Sequence, residues 1–178
     1  DRADRLPATI IRPPAVYGPR DVNFLPLFRT AIKLGRVPVI GSPAKQVAFV
    51  YATDLADGVV RAALSPAAEG RTYYIGSGVH AMTEVVEAVC AALDMPARRL
   101  RVPVLLAVLA GEIGQIKWAL TGKTQIVSRR KVRDMLRPYW TCSWQRARED
   151  FNYREAVALP EGMKITARWY LENGWVCP

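Results

Sequence analysis

The chain has 178 residues, of which 51% are apolar and 23% charged, with a net charge of +9. This is enough for about one domain with a proper core, and it excludes an intrinsically disordered chain. Three cysteines (Cys90, Cys142, Cys177), odd in number and without metal-ligand spacing, argue against a disulfide framework and fit a reducing, cytoplasmic setting.

In chain order, ATII at 8–11 is a short apolar run that leads through Arg12 into a proline-rich loop, RPPAVYGPRD, and reads as a buried strand. Asn23 is expected to cap the helix NFLPLFRTAIKLG, whose Phe24, Leu27, Phe28, Ala31 and Leu34 share one face. Gly35 suits its end, and Pro26 is tolerated in the first turn. Strands are expected at 37–40 and 47–51, joined by the turn-rich GSPAKQ. TDLADGVVRAAL follows as a helix, with Thr53 as expected cap and Asp54 in its first turn. A strand at 72–76 precedes MTEVVEAVCAAL, an amphipathic helix. RLRVP is a strand candidate, 104–121 a longer helix, and 124–136 a basic helix. A short YWTCS strand, the helix WQRAREDF and a final helix at 161–172 close the chain. Strands alternating with helices indicate an α/β architecture. VPVLLAVLAG, the longest apolar run, is about half the ~20 residues a spanning helix needs, so integral membrane insertion is not expected. The charged start, DRADRLPAT, lacks the apolar stretch of a signal peptide.

The charge is unevenly spread. Residues 98–148 hold twelve Lys/Arg against two Asp/Glu, while the rest of the chain is nearly balanced. Such a stretch is either a solvated face or a surface for anions: nucleic acid, anionic lipid or an acidic ligand. Arginines 129, 133 and 137 share one helical face suited to phosphates, but no known nucleic-acid motif accompanies them, so nucleic acid is not expected as a partner. Nucleotide motifs are incomplete. Gly76-Ser77-Gly78 is followed by Ala81 where a dinucleotide fingerprint needs Gly, and Lys117 stands where a P-loop ending at Gly122-Lys123-Thr124 needs Gly. His80 is the single histidine, so no histidine pair exists for a metal and no metal site is expected. Glu84 and Glu87 read as the solvated edge of a helix rather than an acid/base pair.

The order of segments resembles the C-terminal half of the extended short-chain dehydrogenase/reductases, the NAD-dependent epimerase/dehydratase superfamily. Arg12-Pro13-Pro14-Ala15-Val16-Tyr17-Gly18-Pro19 is similar to that family's R-P-x-x-V-Y-G-P. Phe49-Val50-Tyr51-Ala52-Thr53-Asp54-Leu55-Ala56 resembles F-V-Y-V-x-D-x-A. Gly70 to Gly76 resembles G-x-x-Y-x-I-G, and the tail from Trp144 to Trp175 resembles the family's closing pattern.

The resemblance implies the last strands and helices of a Rossmann-like parallel sheet plus a smaller, mainly helical C-terminal subdomain that binds substrate. Residues 1–97 would belong to the Rossmann-like part, interleaved with substrate-domain segments at about 22–51, and residues 98–178 to the basic, helical subdomain. Pro13, Pro14, Ala15 and Val16 would lie beside the nicotinamide of NAD or NADP. Tyr17, Asn23, Phe24, Leu27 and Phe49 would meet a small-molecule substrate: sterol-like, flavonoid-like or sugar-derived. A homodimer is among the assemblies the family uses.

The family's catalytic Tyr-x-x-x-Lys pair is missing, since no tyrosine here has Lys four residues later. In the family that pair and the phosphate-binding glycine loop precede the strand represented by ATII. The chain is therefore expected to be a fragment, inactive alone, of an NAD(P)-dependent oxidoreductase, epimerase or dehydratase. Val47 and Ala48 stand where nucleotide-sugar enzymes of the family commonly carry Arg-Asp, which points to the branch resembling 3β-hydroxysteroid dehydrogenases and dihydroflavonol-type reductases. A basic nucleic-acid module, or a regulatory protein that kept the fold without the catalysis, are the competing readings.

Overall fold

A computed structural model describes residues 8–121, 132–133 and 136–177. In chain order the elements are β1 (Ile10–Arg12), β2 (Ala15–Tyr17), α1 (Leu25–Leu34), β3 (Val37–Ile40), β4 (Gln46–Tyr51), α2 (Ala52–Leu64), β5 (Thr72–Tyr74), β6 (Gly78–Ala81) and α3 (Met82–Ala92). They continue with β7 (Arg99–Val102), α4 (Val104–Thr121), β8 (Tyr139–Trp140), α5 (Gln145–Phe151) and α6 (Leu159–Glu172). The fold is α/β with parallel strand pairing, as expected.

Strand β4 is buried at five successive residues, Val47 to Tyr51. Its side chains alternate: Val47, Phe49 and Tyr51 join one core, Val50 another. Strand β2 does the same, with Ala15 and Tyr17 on the first face and Val16 on the second. Helices α1, α3 and α6 supply the first layer; α2, α5 and Tyr73 of β5 supply the second. A continuous apolar run is what a strand covered on both faces requires.

Pairing is more divided than the sequence suggests. β1 pairs in parallel with β5, and β2 in parallel with β4. β4 also pairs antiparallel with β6 and parallel with β8. Gln46 has partners in both β6 and β8, so those two strands flank opposite edges of β4. β3 and β4, joined by GSPAKQ, do not pair with each other; β3 takes β7 instead, in parallel. Residues on both sides of position 97 thus share strands and core, since β7 pairs with β3 and α6 packs with α3.

Two expected caps are corrected. Asn23 does not cap α1, because the cap position falls on Phe24, which makes no side-chain cap bond. The Asp21 carboxylate accepts the N–H groups of Asn23 and Phe24, each at 2.9 Å. An ionised acceptor two or three residues upstream does this better than an amide. Thr53 does not cap α2 either. β4 runs into the helix without a turn, so Tyr51 is the cap residue, and its N–H is taken by Ser77 Oγ at 3.2 Å. Gly35 ends α1 at φ 62° as expected. The strand expected at 72–76 stops at Tyr74, and β6 lies in a stretch with no strand expectation. The helix expected at 124–136 lies almost wholly outside the described residues.

One close approach locks the first layer to the sheet. A Cβ on Gly162 of α6 would come within 2.5 Å of the Tyr17 hydroxyl. Tyr17 cannot yield, being 1% exposed and boxed by Phe24, Phe49 and Tyr51. Gly162→Ala gains about 1 kcal/mol in helix propensity, but crowding a packed core costs roughly 1–3 kcal/mol. We expect a net loss of stability in urea unfolding, recovered only in part when Tyr17→Phe removes the hydroxyl, because two ring carbons at 2.8 and 2.9 Å still crowd the added methyl.

Candidate functional site

The candidate site is built on the loop that leaves β1. Pro13 is exposed and Pro14 half-buried, and they occupy the step between the β1–β5 and β2–β4 pairings. Pro13 thus stands at the carboxyl end of a parallel strand pair, the place where open α/β sheets receive ligands. Beyond Tyr17 the backbone turns through Gly18 at φ 151°, where a Cβ would meet that of Ala52 at 3.1 Å. Asp21 N–H closes the turn on the Gly18 carbonyl at 3.2 Å. The Tyr170 hydroxyl of α6 donates to the Asp21 carbonyl, so the loop is held from both ends.

Next to this loop stands an aromatic wall. Tyr17, Phe24 and Phe49 have pairwise ring-centroid separations of 5.9, 6.1 and 5.7 Å, and Tyr51 lies 5.4 Å from Tyr17. The tilted and edge-on geometries are those that aromatic quadrupoles favour. His80 on β6 extends the wall, 6.3 Å from Phe49, with its Nδ1 2.8 Å from Glu84. Behind the wall, Phe28, Tyr170 and Trp175 form a second aromatic group, with Phe28 5.2 Å from Tyr170 and Tyr170 stacked on Trp175 at 5.8 Å.

Asp54 sits under the site. It is 3% exposed, at the start of α2, and accepts the Val157 N–H at 3.2 Å. Burial pushes its pKa up from the ordinary carboxylate value, against the pull of the Val157 and Ala156 amides. Burial likewise raises the Tyr17 phenol far above its usual range, with Asp54 adding to the rise. Tyr17 is a neutral phenol at physiological pH. Among the described residues no group of His, Cys, Asp and Glu could hold a metal ion.

Of the nine sequence-predicted site residues, the structure brings Tyr17, Phe24 and Phe49 into one cluster. Leu27 and Ala15 pack against the core that contains them. Pro13 and Pro14 precede that cluster on the same loop, and Val16 faces the opposite core. Asn23 is exposed and bonded to Asp21 through its backbone and its side chain. Sequence reading missed three contributors: the Asp21 cap, the Ser77 bridge and the Asp54 tie to residue 157. Asp21 had a signal, an acidic residue three positions before the helix cap. The other two span 26 and 103 residues, and no local pattern marks them.

Comparison with known proteins now bears on this geometry. The family model of the NAD dependent epimerase/dehydratase family matches residues 1–76. Over 171 residues the chain is 27% identical to a 2-alkyl-3-oxoalkanoate reductase of Shewanella oneidensis, covering 89% of this chain and 43% of that protein. It is also 27% identical to a ceramide reductase of Caulobacter vibrioides, over 98% of this chain and 55% of the relative. The fold matches that of an epimerase from Methanothermobacter thermautotrophicus, with a TM-score of 0.71 and 20% identity over 96% of this chain and 45% of that one. It also matches a UDP-glucuronic acid 4-epimerase from Bacillus cereus solved with NAD, with a TM-score of 0.68 and 16% identity over 95% of this chain and 46% of that one. The chain spans about half the length of these relatives.

A raised carboxyl pKa in the folded state means that the fold takes up a proton more readily than the unfolded chain. The stability Asp54 contributes is then fully present below its unfolded value and lost as pH rises through the folded one. Wild type should gain stability relative to Asp54→Asn as pH falls from neutral towards 4. Asp150, whose pKa is lowered chiefly by the Tyr73 hydroxyl, shifts the other way in both proteins and cancels in the difference. Urea midpoints at matched pH read the effect; a pH-independent difference would refute the buried-charge account.

Proposed function

We propose that this chain, whose residues 1–76 match the model of the NAD dependent epimerase/dehydratase family, is the substrate-side half of an NAD(P)-dependent oxidoreductase. One observation carries the reading: the sheet changes partners at Pro13-Pro14, immediately beside the Tyr17–Phe24–Phe49 wall. Two stiff residues at a strand's carboxyl end suit a flat nicotinamide, and an aromatic wall beside them suits the uncharged body of a substrate.

In this reading Pro13, Pro14, Ala15 and Val16 border the nicotinamide, which supplies or accepts the hydride when bound. Phe24, with Leu27 and Asn23 on the same stretch, contacts the substrate, while Tyr17 and Phe49 hold Phe24 in place. The segment at about 22–51 and residues 98–178 together make the substrate side. No residue of this chain is assigned the proton transfer; that step needs a Tyr-Lys pair on a preceding segment. By itself, the chain is expected to bind NAD(P)H weakly and to turn nothing over.

The substrate we propose is a long-chain compound with a 3-oxo or 3-hydroxy group. Val47 and Ala48 are buried at 4% and 1% and present no charge to a nucleotide diphosphate. Two relatives are named as a 2-alkyl-3-oxoalkanoate reductase and a ceramide reductase, names that denote acyl compounds rather than nucleotide sugars. The test uses the longer protein that contains residues 1–178, with NADH or NADPH and long-chain 3-oxo compounds. Phe24→Ala should raise KM about ten-fold, the equivalent of roughly 1.4 kcal/mol, with cofactor affinity unchanged. Pro13→Gly with Pro14→Gly should instead weaken the cofactor several-fold. Turnover of nucleotide sugars with none of long-chain 3-oxo compounds would overturn the substrate assignment.

A further inference from the structure

Helix α4 begins VLLAVLAG with no charged residue in two turns. Of residues 104–111, only Ala107 and Gly111 are buried; Leu105 is 69% exposed, Leu106 57% and Leu109 49%. A helix apolar on every side normally lies inside a protein or in lipid, and an exposed apolar surface of this kind marks an interaction site. The charge around it is mainly positive, with Glu112 the one acidic residue in α4. Arg99 and Arg101 are exposed on β7 just before the helix, and exposed Arg133 joins Val108, Val132 and Leu136 around one cavity against α4. The helix also lies within the stretch 98–148, with twelve Lys/Arg against two Asp/Glu.

We propose that α4 and its flanking arginines are a docking surface for an anionic membrane. Leu105, Leu106 and Leu109 enter the headgroup–acyl boundary while the arginines meet lipid phosphates. This combination, an apolar insertion plus a basic rim, is what stable interfacial binding requires. Among the described residues no helix is long and apolar enough to cross a membrane, so the attachment is to one face. Charge complementarity selects this occupant over a second copy of the chain, which would bring the same positive rim against itself. The inference goes beyond the proposed reductase activity, and its readout needs neither cofactor nor substrate.

The experiment is co-sedimentation of the longest natural chain containing residues 1–178 with phosphatidylcholine vesicles, with and without about one third phosphatidylglycerol. Binding should be at least about ten-fold tighter to the anionic vesicles and should weaken as salt is raised. Leu105→Glu with Leu106→Glu, and separately Arg99→Glu with Arg101→Glu, should each lower it about ten-fold while thermal unfolding stays unchanged. Absence of binding to anionic vesicles at low salt overturns the proposal. So does a dimer, seen by light scattering, that the leucine substitutions break without any effect on vesicles. Failure of a Leu105→Cys thiol to react with a polar maleimide in the vesicle-free, folded protein would also overturn it, because that face of the helix would then be covered by protein.

Discussion

Everything in this fold depends on β4 being covered on both faces while pairing along both edges. A half-buried strand needs only alternate apolar residues; β4 has five buried residues in succession. The odd residues face α1, α3 and α6, and Val50 faces the layer of α2 and α5. Because side chains alternate with a period of two, a slip of one residue would exchange the two cores. Phe49 and Tyr51 would then leave Tyr17, and Val50 would enter a space shaped for rings. Register in β4 therefore fixes the aromatic wall, and the wall fixes the end of the proline loop.

Polar groups under the wall are arranged to resist this packing as little as the backbone allows. Asp54 is buried against its own solvation, yet it holds the chain at Val157 and so places the stretch between α5 and α6. Tyr153, on that same stretch, donates to the Gly76 carbonyl at 3.1 Å. A Cβ on Gly58 would come within 3.2 Å of its ring. Two buried polar side chains thus tie α2, the end of β5 and the C-terminal segment together. The amide hydrogen bonds reduce the cost of burying Asp54 without cancelling it, while the Tyr153 hydroxyl is satisfied by the Gly76 carbonyl.

The helices were legible in sequence because each carries its own signal. Phe28 and Ala31 fall on one face of α1, and Val85, Val86 and Val89 on one face of α3. The run of β4 was legible as a strand, whereas the buried strand read at ATII is a partly exposed β1, with Ile10 40% exposed. What was not legible lies in pairing across distance. β3 and β4 follow each other around a turn-rich hexapeptide and still take different partners. β6 is four residues containing a glycine and a histidine, with no intrinsic preference for a strand, and exists because β4 offers it an edge. The wall was partly legible: Tyr17, Phe24 and Phe49 could be singled out by resemblance to a family, but their edge-on contacts depend on how β2, β4 and α1 meet. His80 looked like an isolated loop histidine until β6 placed it diagonal to Phe49.

The prolines of the opening loop find their physical reason in the same pairing. Between Arg12, the last residue on β5, and Ala15, the first on β4, two residues have no ladder partner. An ordinary residue there would bring an N–H that must be satisfied by water or by a side chain. Proline has no such donor and fixes φ near the extended region, so it can occupy the step without leaving an orphaned donor or a flexible joint. The strand can then change neighbours abruptly while Tyr17, three residues after Pro14, keeps its position against Gly162. A chain that must present a stiff, donor-free edge at the mouth of a sheet, and hold a packed ring just behind it, has few alternatives to two consecutive prolines.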